Sequence, residues 1–250
     1  MWRKWLTGAV LCVAPMLGLQ AQTTASGNKT SLIEAWLSMP NVGQVAWPYA
    51  FIRARSTDAT EKRRRSDLFD QFKQLQWRLK RQGYPGLVKA VHQWQIQLAK
   101  THHYRQPGDW SPAWLMAHPN QQPPVSRVAA IGYCRVPDTV QVWDAVGVHR
   151  VAWQPGLRLS DLLRRDPNLK GGSTDEVALV SPSGHVDHYG VAAWNYADTE
   201  LTPGMRIVGA IDLKGAVFPW MRDAIADLVA HMPVGRKCRS FPLGQSANHG

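Results

Sequence analysis

The stretch from residue 139 to residue 213 constrains the chain most, because it packs several strand signals and one helix signal into about 75 residues. Residues 139–143 (TVQVW) and 148–153 (VHRVAW) alternate apolar and polar side chains, the period of a half-buried strand. Gln154-Pro155-Gly156 then breaks the chain before a short amphipathic helix at 159–165. Residues 176–181 (EVALVS) and 184–189 (GHVDHY) flank Pro182-Ser183-Gly184, a hairpin turn with a glycine available for a left-handed position. A second turn, Leu201-Thr202-Pro203-Gly204, leads into 205–211 (MRIVGAI), which reads as a buried strand. Five short strands and one helix in this order predict a β-grasp unit, a small sheet wrapped over a helix, and an α+β fold class.

Residues 177–213 (VALVSPSGHVDHYGVAAWNYADTELTPGMRIVGAIDL) resemble the capsule biosynthesis GfcC/YjbG family of periplasmic accessory proteins of bacterial polysaccharide secretion. The likeness rests on the V-x-P-x-G hairpin from Val180 to Gly184, on Ala193-Trp194-Asn195, on the Pro203-Gly204 turn and on Pro155-Gly156 ahead of the helix. It extends more weakly to Trp47-Pro48 and the helical segment beyond. The resemblance implies two β-grasp domains, the first interrupted by a helical hairpin, followed by a C-terminal amphipathic helix. On this reading 1–21 is a signal peptide. Residues 22–134 are the first domain, with the hairpin at about 56–101, and 135–213 are the second. The helix is 214–234 and the flexible tail 235–250.

The hairpin is also legible from the residues. Leu68, Phe69, Phe72, Leu75 and Leu79 recur at three- and four-residue spacing, and Gly83-Tyr84-Pro85-Gly86 separates them from a second stripe of Leu87, Val88, Val91, Trp94, Ile96 and Leu98. Ahead of it, Leu32, Ile33, Trp36 and Leu37 predict a short helix capped by Ser31 or Thr30, with Glu34 placed for a capping box. Near the chain end, 216–232 carries Val217, Met221, Ala224, Ile225, Leu228, Val229 and Met232 on one stripe, with Arg222, Asp223 and Asp227 opposite. Such a helix packs on its own domains or on a partner. In related outer-membrane polysaccharide exporters a helix at this place joins a membrane-crossing ring.

Arg3 and Lys4, the 14-residue apolar run that follows and Ala21 give residues 1–21 the form of a secretory signal, so the expected compartment is the periplasm. Ala9-Val10-Leu11 before Cys12 does not match a lipid-attachment site. The 29 Lys and Arg less Arg3 and Lys4 leave 27, against 18 Asp and Glu, a balance of +9 after cleavage. Such a charge either serves plain solubility or favours acidic partners, which for an exported chain are acidic polysaccharide or an anionic membrane surface rather than nucleic acid. Cys134 and Cys238 are a candidate disulfide in such a compartment, and spacing alone leaves open whether they come within reach.

Candidate site residues are few. Family members carry an arginine just after the hairpin, and Arg105 stands there, preceded by His103-Tyr104 where Thr-Gly is more typical. The alternatives for it are a bidentate contact to a carboxylate or phosphate, and a structural role, capping the helix end or packing on an aromatic. Lys62-Arg63-Arg64-Arg65 is either a solvated charge run or a docking patch, and Arg236, Lys237 and Arg239 are further contacts for anionic lipid or glycan. Twelve tryptophans invite the question of sugar stacking, for which only exposed ones qualify. His102-His103 lacks a third ligand, so no metal or cofactor is expected. His185, Asp187 and His188 do not share one face of a strand, and no nucleophile motif accompanies them, so no catalytic residue is assigned. The expected function is a non-enzymatic periplasmic accessory role in capsule or exopolysaccharide assembly and export. The alternatives are a polysaccharide-modifying enzyme with a site near Arg105 and a structural partner of an outer-membrane exporter.

Overall fold

The computed structural model describes residues 31–166, 169, 175–209, 212–213, 216–217, 219–235 and 237–243. The expected signal peptide, the start of the mature chain, Arg236 and residues 244–250 lie outside them. In chain order the helices are α1 (Leu32–Leu37), α2 (Thr57–Arg81), α3 (Pro85–Ala99), α4 (Pro112–Ala117), α5 (Leu159–Arg165) and α6 (Pro219–Ala230). The strands are β1 (Ala50–Ala54), β2 (Val128–Cys134), β3 (Thr139–Asp144), β4 (Gly147–Ala152), β5 (Glu176–Val180), β6 (Val186–Gly190), β7 (Arg206–Val208), β8 (Asp212–Leu213), β9 (Ala216–Val217) and β10 (Cys238–Pro242). The class is mixed α+β.

The larger sheet runs β4-β3-β7-β5-β6. Its central pair, β3 and β7, is parallel and the other pairs are antiparallel. Alternation sorts its side chains onto two faces. Val140, Val142, Val177, Leu179 and Ile207 meet Leu159, Leu162 and Leu163 of α5. Trp143, Ala178, Val180 and Val208 turn the other way, onto Phe72 and Leu79 of α2, Val91 and Trp94 of α3, and Ile225, Leu228 and Val229 of α6. The sheet is therefore the middle of three layers. Trp94 Nε1 donates to the Gly147 carbonyl at 3.0 Å, fixing α3 on the β3–β4 turn. Gly147 has φ +130°, a backbone conformation that favours glycine, and a Cβ there would displace the Gln93 side chain from its place beside the turn.

The smaller sheet differs from the expected first β-grasp domain. Residues 22–134 supply only β1 and β2 among the described residues, and the third strand, β10, comes from the segment expected to be a flexible tail. One edge of β2 pairs with β1. Its other edge would leave backbone donors and acceptors unpaired, and β10 takes them in an antiparallel register with Cys238 opposite Cys134. The two cysteines are bonded. Tyr133 and Phe241 stack beside them with ring centroids 6.2 Å apart. One face of this sheet is covered by α1, held by the Ser31–Glu34 capping box, and by α4, which packs against α1. In α1 the buried side chains are Leu32, Ala35 and Trp36, while Leu37 is exposed.

Two more placements depart from the sequence reading. The α2–α3 hairpin follows β1 in the chain but covers the larger sheet, because its stripe meets Trp143 and Val208 there. The last helix starts at Pro219 rather than 216, since Ala216–Val217 pairs with Asp212–Leu213 as a two-stranded ladder. Among the described residues, no helix is long and apolar enough to cross a membrane.

Candidate functional site

Where the two sheets adjoin, a cleft of about 820 Å³ opens. Its walls are the end of α3 and the loop after it (Gln97, Lys100 to His103), the β2–β3 connector (Arg135 to Asp138), β4 through Arg150, β7 through Arg206, and the turn from Met232 to Cys238. Lys100, Arg135, Arg150 and Lys237 are exposed along it, and Asp138 is the one acidic residue of the lining. A cleft with four exposed cations to one carboxylate concentrates anions and favours an extended acidic chain over a neutral one. Lys100 caps the end of α3, where the helix dipole favours a cation. Arg135 follows Cys134 out of β2, so the disulfide fixes the wall from which it projects.

Behind the cleft lie two buried arginines. Arg206 donates from Nη1 to the carbonyls of Val229 at 2.6 Å and Met232 at 3.2 Å, and from Nη2 to Pro233. Arg105 donates from Nε to Ala230 at 3.1 Å and from Nη1 to Pro182, and its own backbone N–H donates to His231 at 2.7 Å. Both guanidiniums thus close the C-terminal carbonyls of α6, the negative end of its dipole. Burial pulls Arg206 down to about 10. Burial, and secondarily the charge of Arg206, pulls Arg105 well below its ordinary range. Gly184 (φ +91°) makes room for this grip: a Cβ there would stand 2.8 Å from the Ala230 carbonyl and 3.1 Å from Arg105 Nη2.

Arg105, the residue singled out in the sequence, is 1% exposed and outside the cleft lining. It is placed as a cap on α6 rather than as a surface contact. Segment 104–108 then runs on to both sheets, with Gln106 N–H donating to Ile52 and Gly108 N–H to Ser183.

The basic run of α2 is divided. Arg64 pairs with Asp227 of α6 at 2.6 Å, Arg65 donates to the Thr101 carbonyl at 2.8 Å, and Lys62 and Arg63 are exposed. Under this run Glu61 is buried, 3.6 Å from His231 Nε2 and 3.7 Å from Arg64 Nη1. Burial pushes its carboxyl up, more than His231 and Arg64 pull it down. His185 and Asp187 form an exposed pair at 3.0 Å, while His188 lies 4.0 Å from Asp223 on α6. His102 and His103 are on the cleft rim, and His103 Nδ1 is 3.3 Å from Asp58. Trp143 is fully buried and Trp194 is 76% exposed, away from the cleft lining.

Residues 147–232 match the family model described as Capsule biosynthesis GfcC C-terminal. This part of the chain is GfcC-like. The match begins at β4 and takes in α5, β5 to β9 and α6, and with them Arg150 and Arg206 of the cleft. It associates the chain with capsule biosynthesis. The GfcC-like region supplies one wall of the cleft, and the α2–α3 hairpin and the β2–β3 connector supply the other. Sequence reasoning did not assemble Lys100, Arg135 and Arg150, because they are 35 and 15 residues apart and converge only through the packing of the hairpin on the larger sheet.

Proposed function

We propose that this protein is a non-enzymatic periplasmic accessory factor in the assembly and export of capsule or exopolysaccharide, and that its basic cleft holds an acidic stretch of the polymer. The observation that carries this reading is the charge of the cleft, four exposed cations against Asp138, beside a GfcC-like region. The bonded Cys134–Cys238 pair suits an oxidising compartment. We read the larger sheet with α5 as a β-grasp unit; its strand order, with a central parallel pair and one crossover helix, supports this. The exporter-partner reading needs the apolar face of α6 for another chain, whereas Met221, Ile225, Leu228 and Val229 are buried against this one.

The test is complementation of a strain lacking the protein with Arg135→Glu/Arg150→Glu. Polymer export should fall sharply while the periplasmic level and thermal midpoint of the variant match wild type. Full export by that variant would refute the cleft assignment. Shortening or altered substituents of purified polymer incubated with wild type would favour the enzyme alternative.

A further inference from the structure

On the α5 face of the larger sheet, away from the cleft, three side chains converge. Asp144 ends β3 and His149 lies diagonally across the β3–β4 hairpin on the same face, in the register Val142 to His149 and Asp144 to Gly147. Asp166 caps the C-terminus of α5 above them. His149 Nε2 is 3.1 Å from Asp166 Oδ2, and His149 Nδ1 is 3.9 Å from Asp144 Oδ2. One ligand atom from each residue lies within 4.8 Å of the other two. Arg150, the next residue along β4, projects to the opposite face by strand alternation, so this cluster and the cleft are separate.

The two oxygens of Asp144 have different surroundings. Oδ1 accepts the backbone N–H groups of Val146 at 2.9 Å and Gly147 at 3.1 Å, which locks the carboxylate in the turn. Oδ2 belongs to a side chain with no solvent exposure, has no hydrogen-bond partner and faces His149 and Asp166. A buried carboxylate oxygen without a donor is costly, and a cation at that point removes the cost.

We propose that Asp144, His149 and Asp166 bind a first-row divalent metal cation of the zinc type, with water completing its coordination. An imidazole and two carboxylates suit such an ion, whereas a purely oxygen set would suit magnesium or calcium. Metal–ligand lengths of about 2.0–2.2 Å put tetrahedral ligand atoms roughly 3.4 Å apart. The His149–Asp166 separation is already close to that. One imidazole gives an ion a single nitrogen, so Nε2 would ligate beside Asp166, and the His149 ring, on an edge strand and partly exposed, would turn to bring it toward the fixed Asp144 Oδ2. The bound ion would clamp the edge hairpin to the end of α5.

The test uses the full mature chain, free of any affinity tag and stripped with EDTA, in equilibrium dialysis and calorimetric titration against Zn²⁺. Wild type should take up one saturable Zn²⁺ per chain and gain several degrees of thermal midpoint. His149→Gln and Asp166→Asn should each weaken uptake at least tenfold, with midpoints in EDTA close to wild type. Co²⁺ substitution should give a visible absorption band in wild type that both variants lose. No saturable uptake, or uptake by the variants equal to wild type, would overturn the proposal and leave the cluster a hydrogen-bonded knot. Should a variant fail to fold, the imidazole ¹⁵N shifts of His149 in wild type decide instead: a change on adding Zn²⁺ supports the site, and none overturns it.

Discussion

The two sheets of this molecule are held together by different means. The larger, β4-β3-β7-β5-β6, has apolar layers on both faces, with α5 on one and α2, α3 and α6 on the other. The smaller, β1-β2-β10, borrows its third strand from the far end of the chain and has a disulfide across that pairing. Small apolar cores are weak, and a covalent link offsets that weakness chiefly by limiting the unfolded chain. The comparison teaches that burial alone secures the larger sheet, whereas the sheet beside it, with its own core under α1 and α4, adds chain closure. The cleft lies on the seam, so its shape depends on both.

The comparison is broken most forcefully at α6. Leu228 is 2% exposed within the layer shared by α2, α3 and the larger sheet. Leu228→Asp places a charge there and should cost on the order of 4 kcal/mol. Thermal unfolding should show a large fall in midpoint for the isolated protein; an unchanged midpoint would mean that α6 does not hold the layer.

Cys238→Ser probes the other region. It should cost roughly 2–4 kcal/mol. Hydrogen exchange should accelerate in β1, β2 and β10 and stay slow in β5 and β7. Equal acceleration in both sheets would erase the distinction drawn here.

Arg105 holds the end of α6 to the β5–β6 turn, and the next residue, Gln106, carries the chain to the smaller sheet at Ile52. Arg105→Met leaves the Ala230 and Pro182 carbonyls without that donor and should cost about 2 kcal/mol. Urea unfolding measures it. A variant as stable as wild type would show that the guanidinium does not hold the end of α6.

The smallest effect concerns Glu61. Its folded value is raised above the unfolded one, so its contribution is fully present below about pH 4.3 and is lost as pH rises through the folded value. Glu61→Gln, which is neutral throughout, should match wild type near pH 4 and be slightly more stable at pH 7. Midpoints of the two proteins at these pH values test it; a variant clearly weaker at pH 7 would show that the ion pairs with His231 and Arg64 outweigh burial.

Much of the larger sheet was legible because its signals are local. Alternation at 139–143 and 148–153, the strand-like run at 176–180, the Pro182–Gly184 and Pro203–Gly204 turns and the Leu159–Leu163 stripe are each readable within a few residues. Periodicity also revealed the α2–α3 stripes, but a stripe says that a face is covered and not by what. The family resemblance set the hairpin within the first domain, and the stripes did not show that it covers the larger sheet. Strand β10 has five residues, one strongly apolar side chain and two exposed polar ones, Arg239 and Ser240, and only its pairing with β2 distinguishes it from a tail. The candidate site was the least legible. Arg105 stood out because family members carry an arginine there, yet it is buried on helix carbonyls. The residues lining the cleft come from five separated segments.

Direct binding addresses the central claim. The purified mature chain, and Arg135→Glu/Arg150→Glu, would be titrated with an acidic polysaccharide such as a polyuronate and with a neutral dextran of similar length, at low and high salt. The account predicts binding to the acidic chain alone, weakened by salt because exposed charges are screened, and lowered at least tenfold in the variant, about 1.4 kcal/mol or more. Equal binding to the neutral chain, or undiminished binding by the variant, would contradict it.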